Sequence, residues 1–255
     1  MTQLHLTFLT GGSRGMGLAM AQQLLAPGRL LVCMARHTSA ALSASAADQG
    51  AGLEQWTLDL ARPEAAAGHL RDWLQSRNAD RFASATLINN AGTIPPIAPL
   101  SGSDPAALAQ ALRVGLEAPL LLTAAFLGAT ENWGVPRKVL NISSGLGRRA
   151  MASQAAYCAA KAGMDHFTRC LALDEARKPH GARVCSLAPG VIDTDMQTQL
   201  RSADAAQFPD AHNFAQLKAG GQLTSPADAA VRVLAWLERR DFGNPPVADV
   251  RDAQV

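Results

Sequence analysis

Tyr157 is the only tyrosine in the chain, and it stands four residues before a lysine in Tyr157-Cys158-Ala159-Ala160-Lys161. On a helix that spacing puts both side chains on one face. An ammonium beside a phenol favours the phenolate and draws its pKa down. A unit charge about 4 Å away in an effective dielectric near 20 is worth roughly 4 kcal/mol, which moves a tyrosine by about three units from its reference near 10. A phenol so placed exchanges protons near neutral pH, as a general acid or base must. A Tyr/Lys pair on an ordinary helix surface has the same spacing, so the rest of the chain has to decide between the two.

A second group of residues suits a dinucleotide. Thr10-Gly11-Gly12-Ser13-Arg14-Gly15-Met16-Gly17 lies between a strand-like run and a helical one. Its spacing is GxxxGxG, not GxGxxG, but glycines there let the backbone approach a pyrophosphate and the helix N-terminus favours negative charge. The second strand ends on Met34-Ala35-Arg36-His37. An acidic residue there would bind a ribose 2′-hydroxyl; Arg36, with Arg14 in the glycine turn, suits a 2′-phosphate instead. The expected cofactor is therefore NADP(H). Asp59, followed by Leu60, is positioned to accept from an adenine amino group or to cap the helix that begins near Pro63.

These residues need a scaffold, and the chain alternates strand-like and helical stretches. Strands are expected over 4–10, 30–35, 54–58, 85–89, 138–142, 183–188 and 247–250. Helices are expected over about 15–25, from Pro63, through 104–129, over 153–177 and over 226–239, where Ser225-Pro226-Ala227-Asp228 is a strong start signal. This βαβ alternation implies an α/β fold: one doubly wound Rossmann-type domain over 1–255, with a central parallel sheet flanked by helices on both faces. Ligands bind beyond the carboxyl ends of such strands. The special residues fall there: the glycine turn, Arg36, Asp59, Asn89-Asn90-Ala91-Gly92, Ser143-Ser144-Gly145 and Pro189-Gly190. Residues 195–223, polar and without a strong period, read as a mobile substrate lid, and 244–255 as a C-terminal tail.

Bulk properties narrow the partners. The apolar share of 48% supports a sizeable core, and an aromatic share of 5% makes it mostly Ala, Leu and Val. A formal charge of +2 exerts no strong pull on nucleic acid or membranes. The most apolar helical stretch, 118–129, is too short to span a bilayer. The four cysteines lack metal-like spacing and the six histidines form no HxxxH pair, so no metal site is expected. The N-terminus lacks the features of a signal peptide, and free thiols suit a reducing compartment, so a cytoplasmic protein is expected.

Assembled, these motifs resemble the short-chain dehydrogenase/reductase family over about residues 6–250. The Thr10–Gly17 turn, Asn89-Asn90-Ala91-Gly92, Asn141-Ile142-Ser143-Ser144, Tyr157-x-x-x-Lys161 and Pro189-Gly190-Val191-Ile192-Asp193-Thr194 occur in the family's order and spacing. The resemblance implies hydride delivery from NADPH to a carbonyl carbon. Tyr157 would donate the proton, Ser144 would hydrogen-bond the oxygen, and Lys161 would lower the tyrosine's pKa and hold the nicotinamide ribose. It also implies that Gly11, Ser13, Arg14, Gly15, Met16, Gly17, Arg36, Asp59, Leu60, Asn90, Ala91, Gly92, Pro189, Gly190, Ile192 and Thr194 line the cofactor site. One departure stands out: where the family has an asparagine supporting a water-linked proton relay, this chain has Val114-Gly115-Leu116. A weakened or rerouted relay is expected.

The C-terminal third, from Pro189 to Gln197 and over Gln216-Leu217-Lys218-Ala219-Gly220-Gly221-Gln222-Leu223, resembles the sepiapterin reductase and benzil reductase branch. In that branch a carboxylate near the C-terminus holds a pterin edge, and Asp249 falls at the matching place. Met196, Leu200 and Phe208 are expected under the lid, with Leu146 and Met151 on the opposite wall. The expected substrate is a small carbonyl compound, a pterin side chain or a diketone. An NADP-dependent alcohol dehydrogenase and a weakly active NADP(H)-sensing protein are the rival readings. The resemblance further implies a homodimer or homotetramer built on helices 112–129 and 153–177.

Overall fold

The computed structural model describes residues 3–252, so the last three residues of the expected C-terminal tail lie outside it. Seven strands, β1 (Leu4–Thr10), β2 (Arg29–Ala35), β3 (Gly52–Thr57), β4 (Phe82–Asn89), β5 (Arg137–Ile142), β6 (Arg183–Ala188) and β7 (Val247–Asp249), form one sheet in the order β3-β2-β1-β4-β5-β6-β7. Every pairing is parallel. The chain winds outward from β1 to β3, then returns to place β4 on the other side of β1. That reversal opens a crevice at the carboxyl ends of β1 and β4.

Alternation along the strands feeds two cores, because successive side chains point to opposite faces. Leu9, Leu31, Cys33, Ile88, Leu140 and Leu187 face α1 (Gly15–Leu24), α2 (Ala40–Asp48) and α9 (Pro226–Leu237). Leu6, Phe8, Val32, Met34, Leu87, Val139 and Val184 face α3 (Pro63–Gln75) and the helices that follow β4. The aromatic share is low, yet Phe8, Phe82, Phe126, Phe208 and Phe242 are all fully buried, so the core uses more aromatic volume than the composition suggests. The helix starts obey local chemistry. Ser225 Oγ accepts from the Asp228 N–H with Pro226 at the first helical position, and Asp104 accepts from Ala106 and Ala107 at the start of α4 (Pro105–Leu112).

Two expectations need correction. The stretch after β4 is one continuous helix, Pro105–Ala129, long and apolar enough by length and composition to cross a membrane. The shorter length of 118–129 missed this because α4 runs through a π-helical turn, Arg113–Glu117, into α5 (Ala118–Ala129) without a break. Ala111, Gly115, Ala118, Leu122 and Phe126 form its buried stripe, while Leu112 and Leu120 are exposed. The lid segment is also more regular than its weak period suggested. It holds α7 (Asp195–Arg201) and α8 (Ala211–Ala219), joined by a Gln197 side-chain hydrogen bond to the Phe214 carbonyl at 3.1 Å. Its ends are stapled where Asp193 N–H donates to Thr224 O and Thr224 N–H donates to Val191 O.

A buried polar ladder ties α5 and α6 (Ala155–Glu175) to the sheet beneath the crevice. Asn89 Nδ2 donates to Asn141 Oδ1 at 2.8 Å and to Thr123 Oγ1 at 3.1 Å. Asn141 Nδ2 donates to Thr168 Oγ1 at 2.9 Å, and Thr168 donates to Met164 O. In a dry interior an orphaned member costs its full desolvation. Asn141→Leu is expected to lower the unfolding free energy by about 1–3 kcal/mol with an unchanged urea m-value. A variant as stable as the parent would show that the ladder contributes nothing.

Candidate active site

The crevice is a cleft of about 1290 Å³, and every residue expected to contact cofactor or substrate lines it except Phe208. Its floor is the glycine turn. Gly11 and Gly15 have φ of 71° and 55°, a left-handed backbone that L side chains rarely adopt. A Cβ on Gly17 would run into the Gly11 carbonyl. The N-terminus of α1 has no side-chain cap, so its first N–H groups face the cleft side of the turn without a protein acceptor from Arg14. A glycine cradle below an uncapped helix start fits a pyrophosphate.

The turn is fastened to the end of β4 by a clip. Thr10 Oγ1 accepts from Asn90 N at 2.9 Å and Ala91 N at 3.0 Å, and Asn90 Nδ2 donates to Thr10 O at 2.9 Å. Asn90 therefore shapes the cleft wall by holding two loops together. Asp59 Oδ1 accepts from Ala61 N at 3.0 Å, which caps the turn two residues ahead of α3; the helix itself starts after Arg62. Thr194 occupies the N-cap position of α7 without making a side-chain cap, so its hydroxyl is available to a ligand.

The two arginines differ. Arg36 is exposed and, among the described residues, makes no hydrogen bond or ion pair; His37, which the sequence did not single out, lines the cleft beside it. Arg14 instead pairs with Asp195 at the start of α7, 3.0 Å away, with both side chains largely exposed. To reach a phosphate Arg14 has to leave that partner, a small cost for an exposed pair.

At the other end of the cleft, α6 presents Tyr157 and Lys161 on one face, and the 3₁₀ turn after β5 presents Ser144. Lys161 is buried, and its Nζ donates to the Ile142 carbonyl at 2.7 Å. Burial pulls the ammonium down to about 8, opposed by the Asp165 carboxylate. Burial pushes the Tyr157 phenol above its ordinary value; the neighbouring Ser144 hydroxyl pulls it back and Cys158 adds to the rise. This corrects the expectation from spacing. Lys161 lies 5.7 Å from the Tyr157 ring centroid, commits a proton to Ile142, and is not among the groups that move the phenol. Desolvation outweighs the charge, so the phenol holds its proton at neutral pH.

Gly115 is buried in the π-helical turn, and a Cβ there would sit 3.1 Å from the Ala160 Cβ. The position where the family carries an asparagine is thus a tight contact with the residue just before Lys161. A larger side chain would push on the helix that carries the site.

Two substrate-end expectations change. Phe208 is fully buried and stacks on Phe214 at 5.8 Å; Phe214, not Phe208, reaches the cleft with Met196 and Leu200. Asp249 is neither a solvated tail residue nor an open ligand. It is buried at the end of β7, and Arg251 donates to its two oxygens at 2.7 and 2.6 Å. That fork occupies the bidentate face an amidine-like edge would need. Burial alone would raise the Asp249 carboxyl, but Arg251, with Arg148 further off, holds it below the usual carboxylate range. Gln154 was also missed. It lines the cleft one helical turn before Tyr157, and its buried Oε1 has no partner. The three-residue spacing was the available signal.

The profile described as short chain dehydrogenase matches residues 5–205. The chain belongs to the short-chain dehydrogenase family. Family members bind a nicotinamide cofactor and act as oxidoreductases, which accords with the cradle. Over 94% of this chain and 96% of the relative, it is 33% identical to a benzil reductase ((S)-benzoin forming) of Bacillus cereus. It is also 33% identical to a sepiapterin reductase of Meriones unguiculatus, over 96% of this chain and 95% of the relative. A putative 2-deoxy-d-gluconate 3-dehydrogenase from Agrobacterium tumefaciens, solved with bound NADP, superposes with a TM-score of 0.78 at 27% identity, covering 97% of this chain and 95% of that one.

In this family member one tyrosine makes the phenol directly observable. The phenolate absorbance of the native protein is expected to titrate above pH 10, and Ser144→Ala is expected to move the midpoint higher still, because the hydroxyl that lowers it is gone. A native midpoint near neutrality would contradict the burial argument.

Proposed function

We propose that the protein is an NADPH-dependent carbonyl reductase that converts a ketone or vicinal dicarbonyl to an alcohol. The observation that carries the reading is the meeting of Ser144, Tyr157 and a buried Lys161 at one end of a cleft whose other end is a phosphate cradle. Bound in that cradle, the dinucleotide supplies hydride to the carbonyl carbon. Tyr157 donates its hydroxyl proton to the carbonyl oxygen, and Ser144 hydrogen-bonds the same oxygen as negative charge develops. The Ser144 hydroxyl steadies the phenolate left behind until solvent returns a proton, and the Lys161 ammonium holds the nicotinamide ribose. A phenol that stays protonated at neutral pH is ready for reduction, whereas alcohol oxidation needs it ionised first. The same chemistry disfavours a merely cofactor-sensing role.

Arg36 at the end of β2, without a hydrogen bond or ion pair among the described residues, supports the 2′-phosphate of NADP(H), with Arg14 joining it on release from Asp195. The substrate end has Leu146, Met151, Met196, Leu200 and Phe214 as its apolar walls. With Asp249 engaged by Arg251, an aromatic or aliphatic diketone suits this pocket better than a pterin. Likeness to a benzil reductase over nearly the whole chain supports the same choice. Exposed Leu112, Leu120 and Leu173 on α4, α5 and α6 support a homo-oligomer through those helices, and the unpaired cysteines suit a reducing compartment such as the cytoplasm.

The decisive experiment is a panel of benzil, diacetyl and sepiapterin with NADPH and NADH. Turnover of diketones with NADPH is expected, falling by at least about 100-fold in Tyr157→Phe while cofactor binding persists. Unchanged turnover in that variant would overturn the mechanism. Asp249→Ala is expected to spare diketone reduction; selective loss of sepiapterin turnover would instead favour the pterin reading.

Two further outcomes follow from charge. Arg36→Ala should weaken NADPH binding by about 10- to 100-fold and leave NADH binding unchanged, as a titration calorimeter would read. Reduction should hold steady below pH 8 and decline as pH rises through about 8, where Lys161 loses its proton. A profile flat to pH 10 would show that the ammonium is not required.

A further inference from the structure

Asp165 stands on α6 one helical turn after Lys161, on the same face, and is only 1% exposed. Its Oδ1 accepts from Ser186 Oγ on β6 at 2.7 Å. Its Oδ2 is buried without a partner, and among the described residues no cation pairs with the carboxylate. Gly147, in the turn after β5, closes over it: a Cβ there would sit 2.7 Å from Oδ2 and 3.0 Å from the Lys161 carbonyl oxygen. A buried carboxylate with one oxygen unsatisfied is costly. The fold nevertheless seals this one beside a lysine that is itself buried and holds its proton against a single carbonyl, Ile142 O.

We propose that Asp165, sealed under Gly147, is a positioning residue whose buried charge keeps the Lys161 side chain in its ammonium form. It touches neither substrate nor cofactor and acts through Lys161. The inference rests on the reading of Lys161 as the cation of the site. The direction agrees with burial and Asp165 acting oppositely on Lys161. The other titratable groups around the pair are few. Tyr157 is on α6 itself, Cys185 lies on β6 with its thiol pushed up to about 12, mainly by burial, and Arg148 follows the β5 turn and faces Asp249 of β7. Arg113 and Glu117 of the π-helical turn are exposed. Among the described residues Asp165 has no cationic partner, whereas Glu175 on the same helix pairs with Lys178 and Asp249 of β7 with Arg251.

The chain has four lysines, Lys138, Lys161, Lys178 and Lys218, so side-chain NMR of ε-labelled lysine resolves Lys161, assigned by its loss in Lys161→Met. The unliganded protein is titrated as wild type, Asp165→Asn and Ser186→Ala. The Lys161 midpoint is expected to fall by about one unit in Asp165→Asn, which keeps the shape and removes the charge. Ser186→Ala, which removes only the hydrogen bond to Oδ1, is expected to leave it in place. An unmoved midpoint in Asp165→Asn, or an equal shift in Ser186→Ala, overturns the proposal. If Asp165→Asn does not fold, Asp165→Ser gives the same reading with a smaller side chain beside Gly147. The high-pH decline of reduction should move down with the NMR midpoint. Because the NMR shift needs no turnover, failure to find a substrate leaves this test standing, and failure of the shift leaves the carbonyl reductase reading standing.

Discussion

The hydrogen bond from the Lys161 ammonium to the Ile142 carbonyl organises this molecule. It ties the middle of α6 to the last residue of β5, and so sets where Tyr157 and Ser144 meet. A buried ammonium tolerates little slack, because a lost partner in a dry site costs far more than the same loss at the surface. The neighbours accordingly approach at close range. Gly115 lets the π-helical turn come up to Ala160, a Cβ on Gly163 would sit 2.9 Å from the Leu116 side chain, and Gly147 admits the β5 turn. Small residues at these three places are a consequence of the packing that the lysine requires.

The cofactor end depends on a different device. The glycine turn has little intrinsic rigidity, since glycine loses more conformational freedom than other residues on ordering. The Thr10–Asn90 hydrogen bonds supply the missing constraint by fastening it to β4. One loop from each side of the sheet's reversal point is thereby held in a single wall. The crevice follows from strand order, and its exact shape follows from that clip.

Much of the scaffold was legible in the chain. Each strand was recognised because parallel strands buried on both faces read as short apolar runs bounded by turn residues. Their ends drifted by one to three residues, as with β4 beginning at Phe82 rather than Ala85, because pairing with neighbours extends a strand past its apolar run. The lid helices were not legible. α8 buries only Ala211 among its residues, so its stability comes from Phe208–Phe214 stacking and the Gln197 bond, which leave no period in the sequence. Helix through 104–129 was legible, but not its continuity: Gly115 reads as a weak point, whereas packing on α6 accommodates it as a π-helical turn.

The sequence by itself determined the fold class, the family and the membership of the site, because these rest on residue type, order and spacing, which covalent connectivity preserves. Apart from Phe208, every residue those patterns nominated lines one cleft. Tertiary structure alone decided what state those residues are in. Spacing said that an ammonium near Tyr157 would lower its pKa; burial raised it instead. The family resemblance offered Asp249 as an open ligand; the end of β7 brought Arg251 onto it. Arg14 and Arg36 looked alike in the chain, yet one is paired with Asp195 and the other has no partner among the described residues. Desolvation and partner choice depend on what lies around a group in three dimensions, and residues such as Gly147 and Ile142 reach Lys161 only when β5 and α6 are packed together.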